Sequence, residues 1–272
     1  MSDFEPDDIG PERLLGRGSR RWRLELDEIN PGLSRPEGPT HAKVLAMQSI
    51  ATVGRCDDRA FHGASLVGVA QHRGRIEVTF VPPGWDGLQI RAAWSPAPVG
   101  DGVDLEVQIH ATTARVIERV EVGIRSEWGN DVGEPRASRV EPRDVDSAAL
   151  SYDGRESPGT LQGLTTLPVP PSSPHALAPR FFTPPGSDRD TYYVEMVQPN
   201  DCARRIRHEP AEARSGPATA LSTWYGLFGH DLEKGVVLRA RLRGLWIRSR
   251  SPERDARACY EAFLSEPPAL GP

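Results

Sequence analysis

The sequence predicts an all-β protein, a large antiparallel β-sandwich with a long proline-rich loop and a short C-terminal helix. Two observations support this class. Apolar and polar residues alternate with a period of two along several segments, which is typical of strands with one buried face. The 26 glycines and 26 prolines among 272 residues indicate many turns. The sequence contains neither a glycine-rich phosphate loop nor an alternating strand and helix pattern, which disfavours a nucleotide-binding fold.

The first predicted strand lies near the N-terminus. Trp22, Leu24 and Leu26 alternate with charged residues, as expected for a half-buried strand. The stretch HAKVLAMQSIATV, which begins at residue 41, fits a short helix or a buried strand, and we favour the strand. Residues 1–20 lack periodicity, so we expect a flexible arm there, followed by a single domain over residues 21–272.

Four alternating segments follow one another between residues 64 and 128. Their connections are short and rich in glycine and proline, whereas parallel strands need crossovers of a dozen or more residues. We therefore expect an antiparallel meander. The apolar faces consist of Ile76, Val78 and Phe80, then Leu88, Ile90, Ala92 and Trp94, then Val103, Leu105, Val107 and Ile109, and finally Val120, Val122 and Ile124.

A long segment without periodicity separates these strands from the C-terminal ones. Seven of the eighteen residues from 168 to 185 are proline, which favours an extended loop that acts either as a cover or as a connection. Strand patterns return in TYYVEMV, from residue 191, and in KGVVLRARLRGLWI, from residue 234. These two segments complete the predicted sandwich.

The last predicted element is a helix. Ser251 fits the N-cap position and Pro252 the first helical position. Ala256, Tyr260 and Phe263 then form an apolar stripe with helical spacing. The helix is expected to end before the prolines at 267 and 268.

The composition excludes several classes of protein. A net charge of −5 disfavours general binding to nucleic acid, and no apolar run is long enough to span a membrane. The three cysteines are far apart and no signal peptide pattern begins the chain, so we expect a cytoplasmic protein. No motif indicates a metal or another cofactor.

The best catalytic candidates lie in the segment WYGLFGHDLEKG. An imidazole beside a carboxylate suits acid–base chemistry on a sugar, with His230 paired with Glu233 or with His175. The alternative is a polar turn that precedes the next strand. Cys56 and His62 offer a thiol near an imidazole, but an inert cysteine is the more common situation.

Aromatic residues near turns indicate a carbohydrate site. An indole face stacks on the C–H face of a sugar, and neighbouring polar groups bind its hydroxyls. The alternative is that each tryptophan closes one end of the core. The predicted ligand-binding residues are Trp85, Asp86, Arg91, Trp128, Trp224 and Tyr225.

An arginine stripe on the last predicted strand is the third candidate. Arg239, Arg241 and Arg243 share one face, which could bind an anion or an acidic protein partner through Arg241 and Arg243. The alternative is a solvated sheet face paired with carboxylates of a neighbouring strand, such as Asp104 or Glu106.

At the level of fold alone, an antiparallel sandwich of this size resembles the galactose-mutarotase-like supersandwich. No motif of that family is present, and its characteristic histidine segment has no counterpart here. The resemblance adds modest support to a sugar ligand. Three functions follow as hypotheses: a non-catalytic carbohydrate-recognition module, an acid–base enzyme acting on a sugar, and an assembly protein that docks an acidic partner.

Overall fold

The computed structural model describes residues 13–15, 22–26, 30–34, 41–114, 116–129, 164–166, 179–182, 190–208 and 221–267. These residues form two eight-stranded sheets and one α-helix. Neighbouring strands in both sheets are antiparallel. The predicted all-β sandwich with a short C-terminal helix is confirmed.

The first sheet, called sheet 1, has the order β1-β2-β3-β4-β10-β15-β14, with β5 paired to the end of β4. Its strands are β1 (Arg13–Leu15), β2 (Trp22–Glu25), β3 (Gly32–Ser34), β4 (His41–Thr52), β5 (Arg55–Asp57), β10 (Ile117–Gly129), β14 (Cys202–His208) and β15 (Leu221–Leu232).

The second sheet, called sheet 2, has the order β11-β12-β13-β16-β9-β8-β7-β6. Its strands are β6 (Leu66–His72), β7 (Arg75–Phe80), β8 (Leu88–Pro96), β9 (Asp101–Ala111), β11 (Leu164–Thr166), β12 (Arg180–Phe182), β13 (Thr191–Val197) and β16 (Val237–Arg248).

The main core lies between the sheets, because each sheet turns one apolar face inward. The predicted apolar phases of β7, β8 and β9 are buried there, together with those of β4 and β10. Trp94 on β8 crosses the core, and its indole Nε1 donates a hydrogen bond to the Leu45 carbonyl on β4 (3.1 Å). The residues from 41 onward form a strand, as we favoured.

The predicted four-strand meander is wrong in one respect. β6 to β9 pair consecutively in sheet 2, but β10 crosses to sheet 1 and pairs with β4 and β15. The alternation of β10 is compatible with either sheet, since both sheets bury one face against the same core. Pairing partners therefore decide the sheet to which β10 belongs.

The helix, α1 (Pro252–Ser265), packs on the outer face of sheet 2. A second apolar cluster joins Ala256, Tyr260 and Phe263 of α1 to Val194, Met196 and Leu245 of β13 and β16. Ser251 occupies the N-cap position as predicted, but its side chain makes no cap hydrogen bond. The Ser249 hydroxyl accepts a hydrogen bond from the Ser251 backbone N–H (2.8 Å) and donates one to Asp255 (2.6 Å).

Part of the predicted arm and loop is ordered as short strands. Arg13–Leu15 forms β1, which pairs with β2, and Arg180–Phe182 forms β12 within the proline-rich segment. The rest of both segments lies outside the described residues. In the described part of the chain, no helix has the length and apolar character needed to cross a membrane.

Candidate functional site

The candidate site is on the outer face of sheet 1, where Trp224 lies over two glycines. Gly123 on β10 and Gly226 on β15 are directly opposite each other across the two strands. A β-carbon placed on Gly123 would lie 2.9 Å from Trp224 Nε1, and one on Gly226 would lie 2.8 Å from Trp224 Cη2. The indole therefore lies against bare backbone, and only glycine leaves room for it at both positions.

Charged side chains of β10 border the indole. Arg125 is directly opposite Trp224 and forms an ion pair with Glu127, two residues along the same face. On the other side, Glu121 Oε2 lies 2.8 Å from the β-carbon position of Gly226. An apolar ring is thus placed between carboxylates and a guanidinium, which is the combination that binds the faces and the hydroxyls of a sugar.

Trp224 differs from the other tryptophans in its exposure. All six tryptophans lie in the described residues, and Trp224 is the one that is partly exposed. Five indoles belong to the core: Trp22, Trp85, Trp94, Trp128 and Trp246. Of the three tryptophans predicted to bind ligand, the structure therefore leaves only Trp224 partly accessible to solvent.

Trp85 is held by contacts within the chain. Its indole Nε1 donates a hydrogen bond to Asp57 Oδ2 (3.1 Å), and the Arg55 guanidinium lies 4.0 Å from the centre of its ring. Arg55 also donates a hydrogen bond to the Gly84 carbonyl (2.8 Å). These contacts attach the β7–β8 turn to β5, so Trp85 closes one end of the core.

Trp128 closes the other end. Its ring packs against Tyr193 and Trp246, at centroid distances of 4.7 and 5.8 Å. Trp128 is opposite Ala42 at the start of β4, whereas Asp57, the partner of Trp85, is opposite Ile50 near its end. The two tryptophans are buried at opposite ends of the sandwich and do not form one platform.

The predicted polar ligands on sheet 2 lie apart from Trp224. Asp86 is exposed in the turn after Trp85. Arg91 lies on the outer face of sheet 2, where it forms an ion pair with Glu77. The structure therefore does not bring Asp86 or Arg91 to the candidate site.

Tyr225 points into the core instead of toward the site. Its hydroxyl donates a hydrogen bond to Glu195 Oε2 (3.1 Å), and the Thr223 hydroxyl donates to the same oxygen (2.6 Å). Tyr193 lies nearby, and burial raises its pKa well above the ordinary value, with a further contribution from the Glu195 charge. Tyr225 thus belongs to a polar network between the sheets.

The acid–base candidates do not form a pair. His230 is the next-to-last residue but one of β15, whereas Glu233 is exposed in the turn that follows, and His175 lies outside the described residues. His230 instead lines a surface groove of about 410 Å³ with Glu118, Arg119 and Asp231. Asp231 Oδ1 accepts the backbone N–H of Arg119 (2.9 Å), which supports a left-handed residue with φ of 47°.

The expectation that Arg241 and Arg243 lie on an exposed or solvated face is wrong. Both are buried beneath α1, because the helix and its following turn cover this end of sheet 2. Arg243 binds Asp104 and Glu266, and Arg241 binds Glu266 (3.0 Å) and the Phe263 carbonyl (3.1 Å). A separate acidic partner could reach these guanidinium groups only by displacing α1.

The electrostatics of this arginine cluster follow from its partners. Burial alone would lower the pKa of Arg243, but hydrogen bonds to Asp104 and Glu266 outweigh it and raise the pKa. The hydrogen bond from Arg243 lowers the pKa of Glu266 below its ordinary value. Burial raises the pKa of Asp201, which accepts the Arg241 backbone N–H (3.0 Å).

Two further candidates for chemistry are separate. The Cys56 thiol contacts Asp58 (3.5 Å), and His62 Nδ1 accepts the backbone N–H of Ala64 (3.1 Å). Each side chain thus has a local partner, and the described contacts do not join the thiol to the imidazole.

Sequence reasoning missed the glycine pair and its charged border. The signal was present, because Glu121, Arg125 and Glu127 occupy the polar phase of β10 and Gly123 interrupts that phase. Glycine inside a strand indicates a close approach by another group. Only the pairing of β10 with β15, however, identifies Trp224 as that group.

Comparisons with known proteins give the following result. No protein-family model matches the chain, and no curated protein is significantly similar to it in sequence. The chain is similar in structure to the Slr1438 protein from Synechocystis sp. PCC 6803, with a TM-score of 0.44 and 9% identity over 90% of this chain and 100% of that chain. It is also similar to a protein assigned as a kojibiose phosphorylase, from the human microbiome, with a TM-score of 0.42 and 10% identity over 96% of this chain and 34% of that chain. At such TM-scores the similarity carries no inference about function.

Proposed function

We propose that this protein binds a carbohydrate without transforming it, and that the ligand stacks on Trp224 on the outer face of sheet 1. The single observation that carries the proposal is the partial exposure of Trp224 over a glycine pair, in a chain whose other five tryptophans are buried. A large aromatic ring at the surface gains from covering its apolar face. A sugar ring offers a matching C–H face.

The border of the site supplies the polar half of the recognition. Glu121 and Glu127 accept hydrogen bonds from hydroxyls, and Arg125 donates them. The Arg125–Glu127 ion pair places a donor and an acceptor side by side, next to the position directly opposite Trp224. Flat stacking together with alternating donors and acceptors suits a polyhydroxylated ring better than a purely apolar ligand.

The test uses a panel of neutral and uronic-acid oligosaccharides. A ligand that binds only the folded protein raises the melting temperature, and one that covers Trp224 also protects tryptophan fluorescence from acrylamide. We expect at least one sugar to do both. Because the other indoles are buried, Trp224 should dominate the fraction that acrylamide quenches.

Matched variants locate the binding. Trp224→Ala should abolish both effects, and Trp224→Phe should retain part of the binding because it keeps an aromatic face. Arg91→Ala, which changes the outer face of the opposite sheet, should bind as the wild type does. The proposal is overturned if no sugar changes either signal, or if binding persists in Trp224→Ala.

The groove beside His230 favours a second candidate, acid–base chemistry on a sugar. Its specific support is backbone strain, since Arg119 and Phe228 both have positive φ at the bulge that forms the groove, and such strain concentrates at functional sites. In this alternative His230 transfers a proton, with Glu233 or His175 as its partner. NMR measurement of anomer exchange in a sugar panel tests it: His230→Asn should remove any acceleration, and no acceleration by the wild type excludes it.

A further inference from the structure

β6 (Leu66–His72) is an exposed edge of sheet 2. It pairs with β7 on one side, and the strand order of the described sheet ends at it. Among the strands at the ends of the two described sheets, only β6 and β14 are longer than three residues. A long edge strand presents unpaired backbone N–H and C=O groups, which can pair with another strand.

The two long edges differ in charge. Proteins commonly protect an edge with charged residues or proline. β14 reads CARRIRH and carries three arginines, whereas β6 reads LVGVAQH and carries no Asp, Glu, Lys, Arg or Pro. Most of β6 is open to solvent, and Val67 is 58% exposed. The β6 edge therefore lacks the usual protection against pairing.

A bulge defines the part of β6 that can pair regularly. The register with β7 shifts between Leu66 and Gly68, so Val67 is the extra residue. Gly68–His72 then follows a regular antiparallel register. Ala70 is the central residue of this regular stretch.

We infer that β6 pairs with the β6 strand of a second copy of this chain, antiparallel and about a two-fold axis near Ala70. The sequence fits self-pairing, because Gly68 would be opposite His72 and Val69 opposite Gln71, with no like charges facing each other. The same arrangement at β14 would place Arg205 opposite its own copy, which is unfavourable. Two-fold pairing is also closed, so it ends at a dimer and does not form a fibre.

The interface is expected to be small, since it involves one short strand from each copy, and stable dimers usually bury more surface. Dimerisation should therefore depend on concentration. In sedimentation velocity of the full chain, we expect the mass to rise from 29.8 kDa toward twice that value with increasing concentration.

Ala70→Lys is the decisive variant. Within the chain, residue 70 is opposite Glu77 on β7, so the lysine has a favourable neighbour in the monomer. Across the two-fold axis, however, two lysines would meet. We expect Ala70→Lys to stay monomeric at concentrations where the wild type is mostly dimeric, while Val116→Lys, an exposed position outside the β6 edge, dimerises normally.

A charge-swap experiment tests the register as well. Mixing Ala70→Lys with Ala70→Glu should restore the dimer, because opposite charges then meet at the axis. Circular dichroism and melting temperature establish that both variants are folded. The inference is overturned if the wild type remains at 29.8 kDa at every concentration, if Ala70→Lys dimerises as the wild type does, or if the mixture stays monomeric.

Discussion

Arg243 on β16 is directly opposite Asp104 on β9 and forms two hydrogen bonds with its carboxylate, at 2.6 and 2.8 Å. Both side chains are nearly inaccessible, with 4% and 8% of their surfaces exposed. Glu266, just after α1, binds the same guanidinium (2.7 Å). The arginine face of sheet 2 is thus already occupied by acidic groups of its own chain.

Removal of Arg243 should destabilise the protein strongly. In Arg243→Met the buried Asp104 carboxylate loses its partner, and breaking a buried ion pair in this way costs about 3–5 kcal/mol. Urea denaturation measures the change. Arg91→Met, which breaks a surface ion pair with Glu77, should cost no more than about 1 kcal/mol, and equal losses in the two variants would contradict the buried role of Arg243.

The contact of Glu266 with the arginines should make stability depend on pH. Its pKa is lower in the folded protein than the ordinary 4.5 because Arg243 donates a hydrogen bond to it. The ionised carboxylate therefore stabilises the fold above about pH 4.5, and this contribution is lost as the pH falls through the lowered pKa. Asp201 acts in the opposite direction, because burial raises its pKa and its protonation favours the folded state.

A comparison with Glu266→Gln isolates this effect, since Asp201 is present in both proteins. The melting temperature of the wild type should exceed that of Glu266→Gln at neutral pH, and the difference should close in acid. A difference that stays constant from pH 7 to pH 3 would show that the Glu266 charge does not contribute.

The glycine pair should control how Trp224 sits. Gly226→Ala places a methyl group 2.8 Å from Trp224 Cη2 and the same distance from Glu121 Oε2, which forces the indole to move. We expect greater acrylamide quenching of tryptophan fluorescence in Gly226→Ala. Gly68→Ala on β6, where the nearest atom is 4.0 Å away, is the matched control and should leave the quenching unchanged.

The start of α1 should depend on Ser249 more than on Ser251. The Ser249 hydroxyl bonds to the Ser251 N–H and to Asp255, whereas the Ser251 side chain makes no cap hydrogen bond. Ser249→Ala should therefore lower the urea midpoint more than Ser251→Ala does. The reverse order would restore the N-cap role that the sequence alone predicts for Ser251.

Local patterns predicted most of the fold correctly. Alternation identified β2, β7, β8, β9 and β16, and helical spacing with Pro252 at the start identified α1. These predictions succeeded because a strand with one buried face and a helix with one apolar stripe leave their period in the sequence. Shorter strands such as β1 and β3 leave too few residues for a period to be recognised.

The candidate site was predicted less well. Trp224 was chosen together with Trp85 and Trp128, and nothing in the sequence separates a partly exposed indole from two buried ones. The local charge pattern similarly indicated an open face at Arg241 and Arg243. That face is covered by α1, which reaches it through Phe263 and Glu266.

The sequence by itself determined which residues share a face of each strand, because that depends only on the two-residue repeat of an extended backbone. Tertiary structure alone decided what covers each face: β10 joined sheet 1, α1 covered the arginines, and the backbone of two glycines left room for Trp224 at the surface. The physical reason is that burial depends on contacts between residues far apart in the chain, and local alternation carries no information about those partners.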